Sequence, residues 1–306
     1  MIEDLELNEI IASGGPLEPT AQVDAYTVPA LCPILYDENY RTAISYLRTM
    51  MGSGEHSDRA LRLTGYIVAL NPAHYSVWTY RLDTLVRMGG DLGAELAVLD
   101  GLAATRGSKN YQLWQHREQI VARLPRDSLD LPRELSFLDA MLDEDAKNYH
   151  VWSYRQWLVK ARPDCRVEEV DRVRARVKAD VYNNSAWNHR FFLLFECERG
   201  GDGEQKWSRE EVERELGYVQ DMITLAPDNA ASWNYLKGLL KRLELPFGTV
   251  REFAVYFDDS LPALEFMLVV HQEAAELEDA RRVCLVLERR DVIRKKYWQY
   301  RASLIK

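Results

Sequence analysis

Two stretches decide how this chain folds: Lys109-Asn110-Tyr111-Gln112-Leu113-Trp114-Gln115-His116-Arg117 and Lys147-Asn148-Tyr149-His150-Val151-Trp152-Ser153-Tyr154-Arg155. They are two copies of one phrase. An Asn stands four residues before a Trp, and an Arg three residues after it. Asn183-Asn184-Ser185-Ala186-Trp187-Asn188-His189-Arg190 repeats it in full. His74-Tyr75-Ser76-Val77-Trp78-Thr79-Tyr80-Arg81 replaces the Asn by His, and Asn229-Ala230-Ala231-Ser232-Trp233-Asn234-Tyr235-Leu236 replaces the Arg by Leu. A sixth copy, Lys296-Tyr297-Trp298-Gln299-Tyr300-Arg301, lacks the upstream Asn. The Trp positions 78, 114, 152, 187, 233 and 298 are separated by 36, 38, 35, 46 and 65 residues. A period in the thirties marks a stacked repeat rather than a single closed core.

Between the copies the apolar spacing is helical. Tyr40, Ile44 and Leu47 recur at i, i+4 and i+7, as do Leu63, Ile67 and Leu70. No strand-like alternation interrupts this pattern. Breakers fall where hairpin turns need them: Asn71-Pro72, Gly89-Gly90, Gly107, Pro125, Pro163, Gly200-Gly201 and Pro227. Each unit therefore reads as helix, short turn, and a second helix carrying Trp and Arg. Such a hairpin cannot bury its apolar face alone, so neighbours must stack. Asn110, Asn148, Asn183 and Asn229 sit where a side chain can cap the second helix. Tyr and Trp three residues apart are expected on one face, with the Arg stacking on the indole or bracing carbonyls.

The copies are too alike to serve one active site. Trp78, Trp114, Trp152, Trp187 and Trp233, with Arg81, Arg117, Arg155 and Arg190, are read as structural, and so are His116 and His189. The acidic run Glu210-Glu211-Val212-Glu213-Arg214-Glu215 reads as a solvated helix face.

The chain has 306 residues, 47% of them hydrophobic, and a formal net charge of −9. That acidity argues against nucleic-acid binding, which needs a basic stripe. It argues equally against electrostatic docking on an anionic membrane. Cys32, Cys165, Cys197 and Cys284 lie far apart, which suits neither a zinc site nor a disulfide framework and fits a cytoplasmic protein with reduced thiols. Met1-Ile2-Glu3-Asp4 does not open a signal peptide, and no run is long enough to span a membrane, so no direct membrane insertion is expected.

Residues 1–36 carry Pro16, Pro19, Pro29, Pro33 and Gly14-Gly15, and read as an extended arm. Its apolar Val28, Leu31, Ile34 and Leu35 suggest that it lies against something. Residues 37–306 form the repeat domain, with repeats near 57–88, 91–124, 128–161, 167–199 and 208–243 and divergent C-terminal helices over 248–306. A Gly-rich charged insertion occupies 200–209.

The quoted phrases, with Asp145-Ala146 before Lys147 and Ser232-Trp233-Asn234-Tyr235-Leu236-Lys237-Gly238, resemble the prenyltransferase α-subunit repeat. Within that family they look most like the α subunit shared by protein farnesyltransferase and type I geranylgeranyltransferase. The resemblance runs from about Leu35 to about Gly248 and weakens after that. It implies an all-α, right-handed superhelical array of helical hairpins, a crescent wrapped around a separate β subunit. It implies an enzyme, active only as that heterodimer, which transfers farnesyl or geranylgeranyl from the isoprenoid diphosphate to the Cys thiol of a C-terminal CaaX sequence, as in small GTPases. Zinc and magnesium serve the holoenzyme, with zinc on the β subunit.

Carried over by position, Lys109 approaches the diphosphate as a catalytic group, and Asn148, Tyr149 and His150 lie near the same diphosphate, Tyr149 with a catalytic part. Gln112 meets the peptide carboxylate, with Tyr111 beside it in the peptide-binding loop. The chemistry suits these roles: cations and hydrogen-bond donors help a diphosphate leave. His74 departs from the pattern, so the first repeat is given packing only. Two alternatives are the α subunit of Rab geranylgeranyltransferase and a non-catalytic tetratricopeptide-like scaffold. The lead-in Leu35-Tyr36-Asp37-Glu38-Asn39-Tyr40-Arg41 favours the CaaX enzyme over the first, and the lack of a regular Ala or Gly pattern argues against the second. Isoprenoid length is expected to be set by the β subunit.

Overall fold

A computed structural model describes residues 2–20, 31–32, 34–197 and 207–305. Every regular element among them is helical. The chain divides into two compact units, Met1–Leu158 and Val159–Lys306.

The first unit opens with α1 (Ile2–Ala12) and α2 (Glu38–Ser53), followed by the hairpin α3 (Asp58–Leu70) and α4 (Tyr75–Met88). The second hairpin is α5 (Leu92–Leu102) and α6 (Tyr111–Arg123), and the third is α7 (Leu131–Glu144) and α8 (Tyr149–Ala161). The segment read as wholly extended is thus helical at its start. α1 packs on α2 and α3 through buried Leu7 and Ile10. Arg59 ties down its C-terminal end, donating from Nη1 to the carbonyls of Ile11 (3.3 Å) and Gly15 (2.9 Å). The prolines that suggested an extended arm all lie beyond this helix, and an acidic, aperiodic stretch hid it. Leu31 and Leu35 are 99% and 90% exposed and Ile34 is also exposed, so none of the three lies against this chain. Val28 lies outside the described residues.

The second unit continues with α9 (Arg166–Ala179) and α10 (Asn184–Phe191), then α11 (Arg209–Leu225) and α12 (Ala230–Arg242). The short α13 (Arg251–Val255) precedes α14 (Leu261–Glu273), α15 (Leu277–Arg290) and α16 (Lys295–Ser303). The last three close on Leu264, Leu268, Ala280, Cys284, Leu287, Trp298 and Ile305. Most of the 200–209 insertion, residues 200–206, lies outside the described residues.

Local sequence explains the helix starts. Asn110, Asn183 and Asn229 accept from amides of the first turn of α6, α10 and α12. Asn148 accepts from the amides of His150 (3.0 Å) and Val151 (3.3 Å) at the start of α8. Ser208 and Glu211 make a reciprocal capping box on α11.

The Trp side chains are the registers of the stack. Trp78, Trp114, Trp152, Trp187 and Trp233 are buried. Each indole N–H donates to the carbonyl six residues earlier: Pro72, Ser108, Ala146, Val181 and Pro227, at 2.8, 2.9, 3.0, 2.8 and 2.7 Å. Burying an indole without such a partner would strand its donor. The same carbonyls also bind the next hairpin. Asn148 Nδ2 donates to Ser108 O (3.0 Å), Asn229 Nδ2 to Val181 O (2.6 Å), and Ser260 Oγ to Pro227 O (2.7 Å). In the divergent last copy Trp298 Nε1 instead donates to the Asp291 carboxylate at 2.9 Å.

The arginines meet partners that the repeat phrase does not contain. Arg81, Arg117 and Arg190 donate through Nε to Glu95, Glu134 and Glu215, each at 2.7 Å, and again through Nη2. Those carboxylates sit on the first helix of the following hairpin, α5, α7 and α11. They also receive the Tyr or His two residues after the next Trp: His116 on Glu95 (2.9 Å), Tyr154 on Glu134 (2.7 Å) and Tyr235 on Glu215 (2.5 Å). His189 meets Glu169 likewise at 2.6 Å. Glu215, read as part of a solvated acidic face, is therefore a buried member of this chain of pairs. A buried carboxylate is tolerated because guanidinium and hydroxyl or imidazole both reach it.

Tyr75, Tyr111 and Tyr149, expected beside the Trp on one face, are instead 70%, 65% and 65% exposed. They occupy the first helical position, where the side chain clears the hairpin's edge.

Candidate functional site

Two loops of the first unit bring the sequence-predicted residues together. One runs from Gly107 to Tyr111 and enters α6. The other runs from Asp145 to His150 and enters α8. They are stitched at the backbone by Ser108 O, which accepts from Trp114 Nε1 and from Asn148 Nδ2.

On that seam three rings meet. Tyr111 stands edge-on to His150 with centroids 4.2 Å apart and to Tyr149 at 6.4 Å, and Tyr149 meets His150 at 5.7 Å. Beside them the Lys109 ammonium lies 3.0 Å from the Asp145 carboxylate, with 73% of the lysine side chain exposed. The exposed Lys109 ammonium and the two exposed phenols, with the half-buried imidazole, thus form one patch of donors. Burial lowers the His150 pKa, which favours the neutral ring with one donor and one acceptor. Lys109, by its hydrogen bond to the Asp145 carboxyl, holds that group below its usual range. Gln112 lies half-buried on the first turn of α6, next to Tyr111.

Asn148 differs from its neighbours. It is 2% exposed, with its oxygen capping α8 and its nitrogen on Ser108 O. Its oxygen is taken by the two helix amides and one of its N–H donors by Ser108 O, so it ties the two loops together.

Two features of the patch were not read from sequence. One is Asp145, which belongs to the phrase yet was given no role. The other is a one-residue insertion. Trp114 lies 19 residues after the buried Glu95, whereas Trp152, Trp187 and Trp233 lie 18 residues after Glu134, Glu169 and Glu215. The extra residue is absorbed as a π turn, Ala103–Gly107, at the end of α5. Counting residues between Arg-paired glutamates and Trp would have found it, had the glutamates been known.

The one other cluster of candidate metal ligands among the described residues does not suit a metal. His271, Glu276 and Asp279 approach one another. However, the Arg251 guanidinium already clamps Glu276 at 2.7 and 2.8 Å, and His271 Nδ1 takes the same carboxylate at 2.6 Å. Burial pushes the Cys165 thiol up to about 12 and raises that of Cys284, the opposite of what a metal thiolate needs. No helix among the described residues is long and apolar enough to cross a membrane.

Comparison with known proteins bears on the family and the fold. The family described as Protein prenyltransferase alpha subunit repeat matches residues 57–88, 131–162, 167–197 and 212–243. The second hairpin, which holds the inserted residue, is not among the matched stretches. The chain is 35% identical to the Protein farnesyltransferase/geranylgeranyltransferase type-1 subunit alpha of Candida albicans, over 90% of this chain and 92% of that one. It is 42% identical to the protein of the same name from Schizosaccharomyces pombe, over 78% and 77% of the two chains. The solved structure of Candida albicans protein geranylgeranyltransferase-I complexed with GGPP superposes with a TM-score of 0.85 at 33% identity, covering 95% of this chain and 97% of that chain.

Proposed function

The chain belongs to the protein prenyltransferase α-subunit family, and from that premise we propose that it is the α subunit of a heterodimeric CaaX prenyltransferase. With its β subunit it transfers an isoprenoid from farnesyl or geranylgeranyl diphosphate to the Cys thiol of a C-terminal CaaX sequence, in the cytoplasm. The observation that carries the site is the convergence of Lys109, Tyr111, Tyr149 and His150 on one exposed seam between two hairpins.

Lys109 brings a compact cation with three donors to the diphosphate oxygens, where negative charge grows as the carbon–oxygen bond breaks. The Tyr149 hydroxyl and the His150 ring add donors to the same oxygens. Gln112 donates its amide to the peptide's terminal carboxylate, with Tyr111 lining the space between. Asn148 holds the two loops in register. Zinc, which would hold the substrate's Cys as a thiolate, is assigned to the partner subunit; among the described residues of this chain the His271, Glu276 and Asp279 cluster is already engaged by Arg251. Magnesium would accompany the diphosphate.

Co-expression with a type I β subunit tests the reading. A stoichiometric heterodimer that prenylates a CaaX peptide is the expected result. Failure to assemble, or activity confined to Rab proteins presented by an escort protein, would overturn it.

A further inference from the structure

The second and third hairpins close their turns differently. Seven residues before the Trp, the first, third and fourth hairpins carry Asn71, Asp145 and Asp180. Each side chain accepts from the amide two residues on: Ala73 at 3.2 Å, Lys147 at 3.3 Å and Tyr182 at 3.0 Å. This is the local clamp that Asn and Asp make in turns. In the second hairpin the position is Gly107. A Cβ there would come within 2.4 Å of Leu113 Cδ1 and 2.9 Å of Leu102 O, so no clamping side chain fits. The Lys109 loop thus keeps the backbone bond from Asn110 N to Gly107 O (3.0 Å) but lacks the side-chain clamp, and Asp145 reaches it from the next hairpin. Asp145 uses one oxygen for its own turn, at Lys147 N, and the other for the Lys109 ammonium at 3.0 Å.

We propose that Asp145 is a positioning residue that acts as a resting station for Lys109, holding its ammonium between turnovers and recapturing it when the diphosphate leaves. This rests on the reading of Lys109 as a diphosphate ligand. A diphosphate draws the flexible, exposed lysine away from a carboxylate that is itself partly exposed, so the exchange is easily reversed. The carboxylate thereby opposes tight binding of the leaving group and favours its release. A purely structural role would act the other way: loss of the turn clamp would loosen the site and weaken binding.

The test uses the heterodimer and inorganic pyrophosphate as the probe, with affinity read by calorimetric titration. Asp145→Asn keeps an oxygen for the Lys147 amide and removes the charge. It is expected to bind pyrophosphate about two- to fivefold more tightly, the range for one exposed ion pair. Placed in a Lys109→Ala background, the same substitution is expected to change nothing. Unchanged or weaker binding by Asp145→Asn overturns the proposal, as does equal tightening in both backgrounds. Lys109→Ala alone separates the two levels: if it leaves pyrophosphate affinity at the wild-type value, the diphosphate reading itself fails and the resting station with it.

Discussion

The second and third hairpins share a phrase and differ in how they use it. Both bury a Trp on a carbonyl six residues back, cap the second helix with Asn, and tie an Arg into an acidic neighbour. The third has a turn clamped by Asp145. The second has Gly107, an inserted residue and a π turn. The repeated features are buried and serve stacking. The departures sit at the entry to the second helix, Gly107 buried against Leu113 and Lys109 exposed beside it, and the proposed site is built on them. Identity between copies marks the scaffold, and difference between copies marks the place where chemistry can happen.

The sharpest way to break this comparison is inside the shared scaffold. Arg117 is fully buried against Glu134, Asp100 and the Tyr154–Glu134 bond. Arg117→Ala leaves a buried carboxylate short of its main partner and is expected to cost about 3–5 kcal/mol, read from denaturant unfolding. A loss near that of an exposed arginine would show that the pairs are not the stacking rule.

At the edge the expected effect moves from stability to rate. Lys109→Ala should lower single-turnover transfer by about 10²-fold, comparable to loss of one charge-stabilising donor, while heterodimer assembly is kept. Unaltered transfer would remove the distinction between edge and scaffold.

Gly107→Ala probes the insertion itself. Its new methyl must displace Leu113 or the Leu102 carbonyl, so the thermal midpoint should fall by an amount corresponding to about 1–3 kcal/mol. Glycine-to-alanine changes at Gly101 and Gly217, which have open space around them, are the matched controls.

The smallest difference separates two asparagines. Asn110 only caps its helix, accepting from Leu113 N at 2.9 Å, and Asn110→Ala should cost about 1 kcal/mol. Asn148 also donates to Ser108 O, so Asn148→Ala should cost about 1 kcal/mol more by the same unfolding measurement. Equal costs would mean that the stitch between the loops contributes nothing.

Much of the fold was legible because the signals are local. Trp78 to Trp233 announce the period, and an Asn four residues before a Trp is a cap whatever surrounds it. The partners of the arginines were not legible. Glu95, Glu134 and Glu215 follow Arg81, Arg117 and Arg190 at 14, 17 and 25 residues, so no fixed offset betrays them. A glutamate in an acidic run looks solvated until the packing of another helix covers it, as happened with Glu215. α1 was missed for the same reason: Leu7 and Ile10 make sense only against α2 and α3. Among the proposed site residues, Lys109, Tyr111, Tyr149 and His150 were named through the family resemblance of the phrases that hold them. The engagement of both ends of the Asn148 amide was visible only in space.

The sequence by itself determined the helical hairpins, their caps, the spacing of the tryptophans and the two phrases that stand apart, because these depend on residues within one or two turns of each other. Only the tertiary structure decided which carboxylate each arginine meets, that Gly107 and its π turn leave the Lys109 loop without a clamp, and that Asp145 reaches across to hold the lysine. Those outcomes depend on distances between helices, and hydrogen bonds and ion pairs act over distances that the order of residues does not specify.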